Sequence, residues 1–202
     1  MLRVVDLEKR YKDVIFDHVS IDMSKPGLYI FQGINGSGKS TILKVIAGII
    51  YKSSGKLEKD VSIAYLPDKY SMPKLMSVTS YVELVLDMYG KKSEASKLIG
   101  MYQIPKRRIG ELSKGNQQKL GLLQIFSNEC DCYILDEPID GLDDFAKHLV
   151  KDIVSEKIKT GHIVIMSLHG KNLFNDLHPR IFDVKDGKIL ERKRRKNEEE
   201  QS

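Results

Sequence analysis

The sequence contains no tryptophan, two cysteines and six prolines among its 202 residues. Two thiols are too few for a structural zinc site. Cys130 and Cys132 lie two apart in a run that reads as a strand, so they are expected to share a face as plain buried or half-buried thiols. No run of about twenty apolar residues is present, which excludes a bilayer-spanning helix. The first ten residues alternate charged and apolar side chains and lack the apolar stretch of a secretory signal, so a cytosolic location is the default expectation. Neither sign of charge dominates: 33 Lys and Arg face 28 Asp and Glu, for a formal net charge of +5. Much of the excess sits in Arg192, Lys193, Arg194, Arg195 and Lys196, with Glu198, Glu199 and Glu200 close behind. A basic block attracts nucleic acid or anionic membrane, but the acids beside it offset that pull. Residues 192–202 are therefore expected to be a solvated, disordered tail.

What is present is an alternation of short apolar strands with helical periodicity. Strand patterns occur at 2–7, 14–21, 28–31, 61–66, 133–135 and 163–167, and a hairpin pattern at 181–190 turns at Asp186-Gly187. Helical spacing occurs at 41–50, 78–89, 95–102, 114–127 and 145–159. Alternating strands and helices predict an α/β fold with a mainly parallel sheet. Residues 71–127 hold several helical patterns and no clear strand, so they are expected to form a helical subdomain inserted in the sheet. A single domain over residues 1–191 accommodates all of these elements.

The chemistry begins where the third strand pattern runs into glycine. Gly33-Ile34-Asn35-Gly36-Ser37-Gly38-Lys39-Ser40 fits G-x-x-x-x-G-K-[ST], with a strand before it and a helix after it. Glycines let the backbone N–H groups of residues 33–38 converge on phosphate oxygens at the positive end of the next helix. Lys39 is expected to reach the β- and γ-phosphates, and the Ser40 hydroxyl to ligate Mg²⁺. Such a site needs acids at the end of a second strand, and Asp136-Glu137-Pro138 follows the apolar run at 133–135. Asp136 is assigned to the Mg²⁺ shell and Glu137 to orienting or deprotonating the attacking water. A kinase lid rich in arginine is not evident, Arg107-Arg108 being the only internal arginine pair.

The phosphate loop, the segment Leu112-Ser113-Lys114-Gly115-Asn116-Gln117-Gln118 and then Asp136-Glu137-Pro138 occur in an order that resembles the nucleotide-binding domain of ABC ATPases. The resemblance covers nearly the whole chain, from Tyr11 to the hairpin near Gly187. It implies a P-loop NTPase fold of ABC type, with an N-terminal β subdomain and an inserted helical subdomain, and ATP and Mg²⁺ as cofactors. It also implies a head-to-tail homodimer with two ATP molecules sandwiched between subunits. Ser113 and the Gly115 backbone would contact the γ-phosphate held by the other subunit. Further residues carry over one at a time. Tyr11 would stack on adenine, Thr41 would contact the α-phosphate, His169 would hydrogen-bond the γ-phosphate, and Asp143 would belong to the loop that crosses the dimer interface.

Two positions depart from the family pattern. Asp68, in Leu66-Pro67-Asp68, stands where glutamine is usual, at the place that senses Mg²⁺ and meets a membrane partner. Lys114 and Asn116 replace a usual glycine and glutamine. One phosphate loop and no coiled-coil insertion argue against tandem translation factors and repair-type relatives. The Leu-Ser-Lys-Gly and Leu-Pro-Asp variants, and the lack of a regulatory domain after the core, look like exporter ATPases. The expectation is therefore an ATP-hydrolysing exporter subunit, peripheral on the cytoplasmic face of the membrane beneath a separate multi-span permease that docks near Asp68 and residues 71–80. Nucleic acid is not expected as a partner. A soluble, non-transport ABC ATPase acting on nucleic acid or ribosomes is the alternative.

Overall fold

The computed structural model describes residues 1–170 and 173–192. The elements in chain order are β1 (Leu2–Arg10), β2 (Val14–Asp22), β3 (Gly27–Gln32), α1 (Lys39–Ala47), β4 (Ser54–Lys59), β5 (Ile63–Leu66) and α2 (Val78–Asp87). They continue with α3 (Ala95–Met101), α4 (Lys114–Ser127), β6 (Cys132–Asp136), α5 (Asp144–Lys159), β7 (Ile163–Leu168), β8 (Arg180–Lys185) and β9 (Lys188–Glu191). The expected charged tail beyond Arg192 lies outside the described residues.

Six strands form the main sheet in the order β5-β6-β7-β3-β8-β9. All neighbours in it are parallel except the closing β8-β9 hairpin. That hairpin turns at Asp186 (φ 50°) and Gly187 (φ 74°), the doubly left-handed pair that a tight two-residue turn requires. A separate three-stranded antiparallel sheet has the order β2-β1-β4. Between β5 and β6 run α2, α3 and α4, joined by short 3₁₀ turns and a single bridge between Ser77 and Arg108.

Strand alternation sorts the core into two halves. Leu28, Ile30, Tyr133, Leu135, Val164 and Met166 face one side, where they meet the buried stripes of α2, α4 and α5. Tyr29, Phe31, Cys132, Ile134, Ile163 and Ile165 face the other, packing against α1 and the inner face of the small sheet. Each fully buried Leu, Ile or Phe side chain contributes about 1.5–3 kcal/mol, so both faces of the main sheet are strongly held.

Three features differ from the sequence patterns. Strand β4 had no clear apolar signal, and β1 continues to Arg10 rather than ending at residue 7. Cys130 and Cys132 do not share a face: Cys130 belongs to the helical half and Cys132 to the other. The strand begins only at Cys132, because Asp131 turns aside to accept from and donate to Ser62. Both thiols are free and buried, and burial pushes both pKa values up.

Candidate functional site

The carboxyl ends of β3, β6 and β7 lie side by side, where open parallel sheets place their ligands. The loop from Gly33 to Gly38 leaves β3 and enters α1. A side chain at Gly33 has no room, since a Cβ would lie 2.4 Å from the Val184 carbonyl oxygen. Gly36 (φ 77°) and Gly38 (φ 105°) adopt left-handed backbone that only glycine takes without strain. Gly38 is also the N-cap of α1 and supplies no side-chain acceptor, so the first N–H groups of that helix are left to a ligand. Beneath the loop, the buried Ser37 Oγ has no hydrogen-bond partner.

Lys39 is only 4% exposed. Its ammonium donates to the carbonyls of Gly33 (2.9 Å) and Ile34 (3.0 Å) and lies 3.7 Å from Glu137 Oε1. Burial lowers its pKa, against the opposing pull of Glu137 and Asp136. Asp136 is 1% exposed. Its Oδ1 accepts from Ser167 Oγ at 2.6 Å and its Oδ2 from the Tyr65 hydroxyl at 3.5 Å. Burial, with the Asp136 charge adding to it, raises the Tyr65 pKa.

Glu137 has a left-handed backbone (φ 53°), and its N–H donates to Ser167 Oγ at 2.9 Å. His169 bridges the two sides of the site. Its Nδ1 lies 3.1 Å from the Gly33 carbonyl, which only accepts, and its Nε2 lies 2.5 Å from Glu137 Oε1. Gly33 O thus receives both Lys39 and His169, which ties the phosphate loop to the acid at the end of β6.

A cavity of about 490 Å³ opens over the loop. Eight expected residues line it: Asn35, Gly36, Gly38, Lys39, Ser40, Thr41, Asp68 and Glu137. Ile15, Lys69, Lys114 and Asp140 also line it, without having been singled out for this site. Gly33, Ser37 and Asp136 lie off its wall, and His169 lines a neighbouring cavity of about 480 Å³ that shares Glu137 and Asp140.

Four further expected residues line neither cavity: Tyr11, Ser113, Gly115 and Asp143. Tyr11 is exposed, with the Lys9 ammonium 4.3 Å from its ring centroid. Ser113 caps α4 by accepting from Asn116 N–H. Gly115 sits where a Cβ would lie 2.9 Å from Gly141 O, and Lys114 Nζ pairs with Asp140 at 3.2 Å. Asp143 caps α5 and accepts from Lys119 Nζ at 2.9 Å. The Lys119 hydrogen bond and then the Ala146 N–H hold its carboxyl below the usual range. In one chain, the start of α4 and the loop 140–143 are thereby joined.

The donor set fits a polyphosphate: uncapped helix N–H groups and a buried ammonium converge on one loop. Among the described residues no group of three or more His, Cys, Asp or Glu could hold a metal ion unaided. That suits Mg²⁺, which is held by one or two protein ligands together with phosphate oxygens. Of the residues expected to hold it, Ser40 and Asp68 line the cavity and Asp136 lies off its wall.

Ser167 was missed as a site residue, although its signal is present. A lone hydroxyl interrupts the apolar run at 163–168, and parallel pairing sets it opposite Asp136.

The family model for ABC transporter matches residues 16–140. The chain belongs to the ABC transporter family. An uncharacterized ABC transporter ATP-binding protein, MJ1023 of Methanocaldococcus jannaschii, is 32% identical over 199 residues, covering 94% of this chain and 76% of the relative. The lantibiotic transport ATP-binding protein SrtF of Streptococcus pyogenes is 31% identical, covering 94% and 89%. The zinc import ATP-binding protein ZnuC of a Wolbachia from Brugia malayi is 31% identical, covering 84% and 73%. Among solved structures, the dimeric post-hydrolysis ATP-binding cassette MJ0796, bound to ADP and Pi, superposes with a TM-score of 0.83 at 18% identity. It covers 96% of this chain and 99% of its own and establishes the likeness of fold. This ABC ATPase binds ATP with Mg²⁺ and hydrolyses it, and it is the ATP-binding subunit of a transporter. Among the described residues, no helix is long and apolar enough to cross a membrane.

Proposed function

We propose that the chain is the motor subunit of an exporter, working as a head-to-tail homodimer on the cytoplasmic face of the membrane beneath a separate multi-span permease. One arrangement carries the dimer part of this reading. Lys39, Ser40, Thr41 and Glu137 share one cavity, to which this chain's own α4 start contributes Lys114, while Ser113 and Gly115 on either side of Lys114 do not line it. A second copy turned head to tail would bring a helix N-terminus, favourable to an anion, to the open side of that cavity.

In this scheme the N–H groups of residues 33–38 and Lys39 bind and orient the triphosphate. Glu137 takes or orients the proton of the attacking water, and His169, whose two ring nitrogens meet Gly33 O and Glu137, would exchange one of these contacts for the γ-phosphate. Mg²⁺ held by Ser40, Asp136 and Asp68 would supply neutralisation of the polyphosphate charge. Tyr11 is assigned to the base, Asp143 to the loop crossing the interface, and Asp68 to the metal shell and the permease contact near residues 71–80.

The export direction rests on the Leu-Ser-Lys-Gly and Leu-Pro-Asp variants. The similar zinc import subunit marks import as the competing outcome. The dimer is tested by Glu137→Gln with MgATP: light scattering should give twice the monomer mass and hydrolysis should be lost. Adding Ser113→Arg should restore the monomer. A Glu137→Gln chain that stays monomeric at saturating MgATP sinks the dimer, and undiminished turnover removes Glu137 from its role. Direction is read with the co-purified permease in inside-out vesicles, where export appears as ATP-driven uptake of cargo. Stimulation by RNA with a steep salt dependence, and no membrane partner, would replace the transport reading.

A further inference from the structure

We infer that Ser167 is a positioning residue that sets both acids of the site at once; this rests on the roles assigned above to Asp136 and Glu137. Ser167 is fully buried near the end of β7, directly across the parallel pairing from Asp136. Its hydroxyl has one proton and two lone pairs, and both sides are used. The proton goes to Asp136 Oδ1 at 2.6 Å, and the oxygen accepts the Glu137 N–H at 2.9 Å.

Each bond addresses a different difficulty. Asp136 is 1% exposed, and among the described residues the other donor to its carboxylate is the Tyr65 hydroxyl at 3.5 Å on Oδ2. Occupying Oδ1 fixes the carboxylate plane and leaves Oδ2 as the oxygen with the weaker hold, the one to turn toward a hydrated Mg²⁺. Glu137 has a left-handed backbone at φ 53°, which a residue with a Cβ adopts only when its surroundings impose it. In that conformation its N–H turns to β7, and Ser167 Oγ anchors it there. The same backbone turn carries the Glu137 side chain to His169 Nε2 and toward Lys39. One hydroxyl therefore fixes the spacing between the metal-shell acid and the acid that handles water. Outer partners of this kind, when removed, cost on the order of 10–100-fold in metal affinity or activity.

Ser167→Ala and Ser167→Thr separate this role from packing. At saturating MgATP, Ser167→Ala should lower kcat about 10–100-fold with KM for ATP nearly unchanged, and more Mg²⁺ should be needed for half-maximal rate. Ser167→Thr keeps the hydroxyl and should recover most of both. Without nucleotide, hydrogen exchange at the Glu137 amide should speed up in Ser167→Ala and stay slow in Ser167→Thr. Unchanged Mg²⁺ half-saturation, a threonine variant no better than alanine, or unaltered amide exchange would each overturn the inference. Glu137→Gln is run beside them. If it retains turnover, the assignment of the acids fails; if it is inactive while Ser167→Ala is unimpaired, only the role of Ser167 fails.

Discussion

At the residue scale the phosphate loop places opposite demands on its glycines. Gly33 is glycine for lack of space, with Val184 O 2.4 Å and Ser37 Oγ 2.7 Å from where a Cβ would stand. Gly36 has open space around it but a left-handed backbone at φ 77°. Gly33→Ala should therefore cost about 1–3 kcal/mol through overpacking and displace the loop, weakening ATP binding. Gly36→Ala should cost about 1–2 kcal/mol through backbone strain alone, with little change in the β3–α1 packing. Denaturant melts combined with ATP titrations check the pair, and equal loss of ATP affinity in both would contradict the distinction.

Lys39 carries a prediction in pH. Its burial depresses the folded-state pKa below the ordinary 10.5. The buried charge therefore opposes folding while both states are protonated, and that cost is relieved as pH rises through the folded value toward the unfolded one. Lys39→Met should abolish ATP binding. In nucleotide-free protein it should gain most over the wild type at neutral pH and lose that advantage in alkaline solution. A difference in thermal midpoint that stays constant with pH would refute this account.

At the scale of elements, helix starts perform two jobs. Asp143 caps α5 through Ala146 N–H at 2.8 Å and neutralises Lys119, which is 5% exposed. Asp143→Ala should cost about 1 kcal/mol for the cap and more for the buried ammonium left behind. Asp143→Asn keeps an acceptor and should recover only the cap. Chemical denaturation of both variants measures the split, and equal destabilisation would deny Lys119 its part.

The sequence made some elements plain and hid others. Strands β3, β6 and β7 are buried on both faces and read as mainly apolar runs, interrupted in β7 by Ser167, and α4 matched its sequence pattern from Lys114 to Ser127. Strand β4 reads Ser-Gly-Lys-Leu-Glu-Lys, an edge strand with much of its surface in solvent, so its pattern carries almost no apolar signal. The loop and acids of the site were legible because glycine spacing and strand-end carboxylates are local. The Ser167 bridge, the burial of Lys119 and the left-handed Glu137 were not, since each depends on which strand or helix lies alongside.

At the scale of the molecule, the site joins parts that rest on different halves of the core. The phosphate loop leads into α1, which packs against the small sheet, whereas α4 belongs to the helical half. Lys114–Asp140 and the close approach of Gly115 to Gly141 O tie the start of α4 to the loop that follows Glu137. Nucleotide on one chain alone should raise its stability by mass action, about 2.7 kcal/mol at a hundredfold excess over Kd. For a chain of this size that corresponds to roughly 5–10 °C in thermal midpoint, and the gain should not depend on protein concentration. If the cavity is completed by the α4 start of a second copy, Glu137→Gln with MgATP must behave differently. Its midpoint should climb with protein concentration, because unfolding then also dissociates the dimer, while the same variant with ADP should show no such climb. Differential scanning calorimetry over a hundredfold range of protein concentration reads this directly. A concentration-independent midpoint with MgATP would mean that one chain holds the whole nucleotide site by itself.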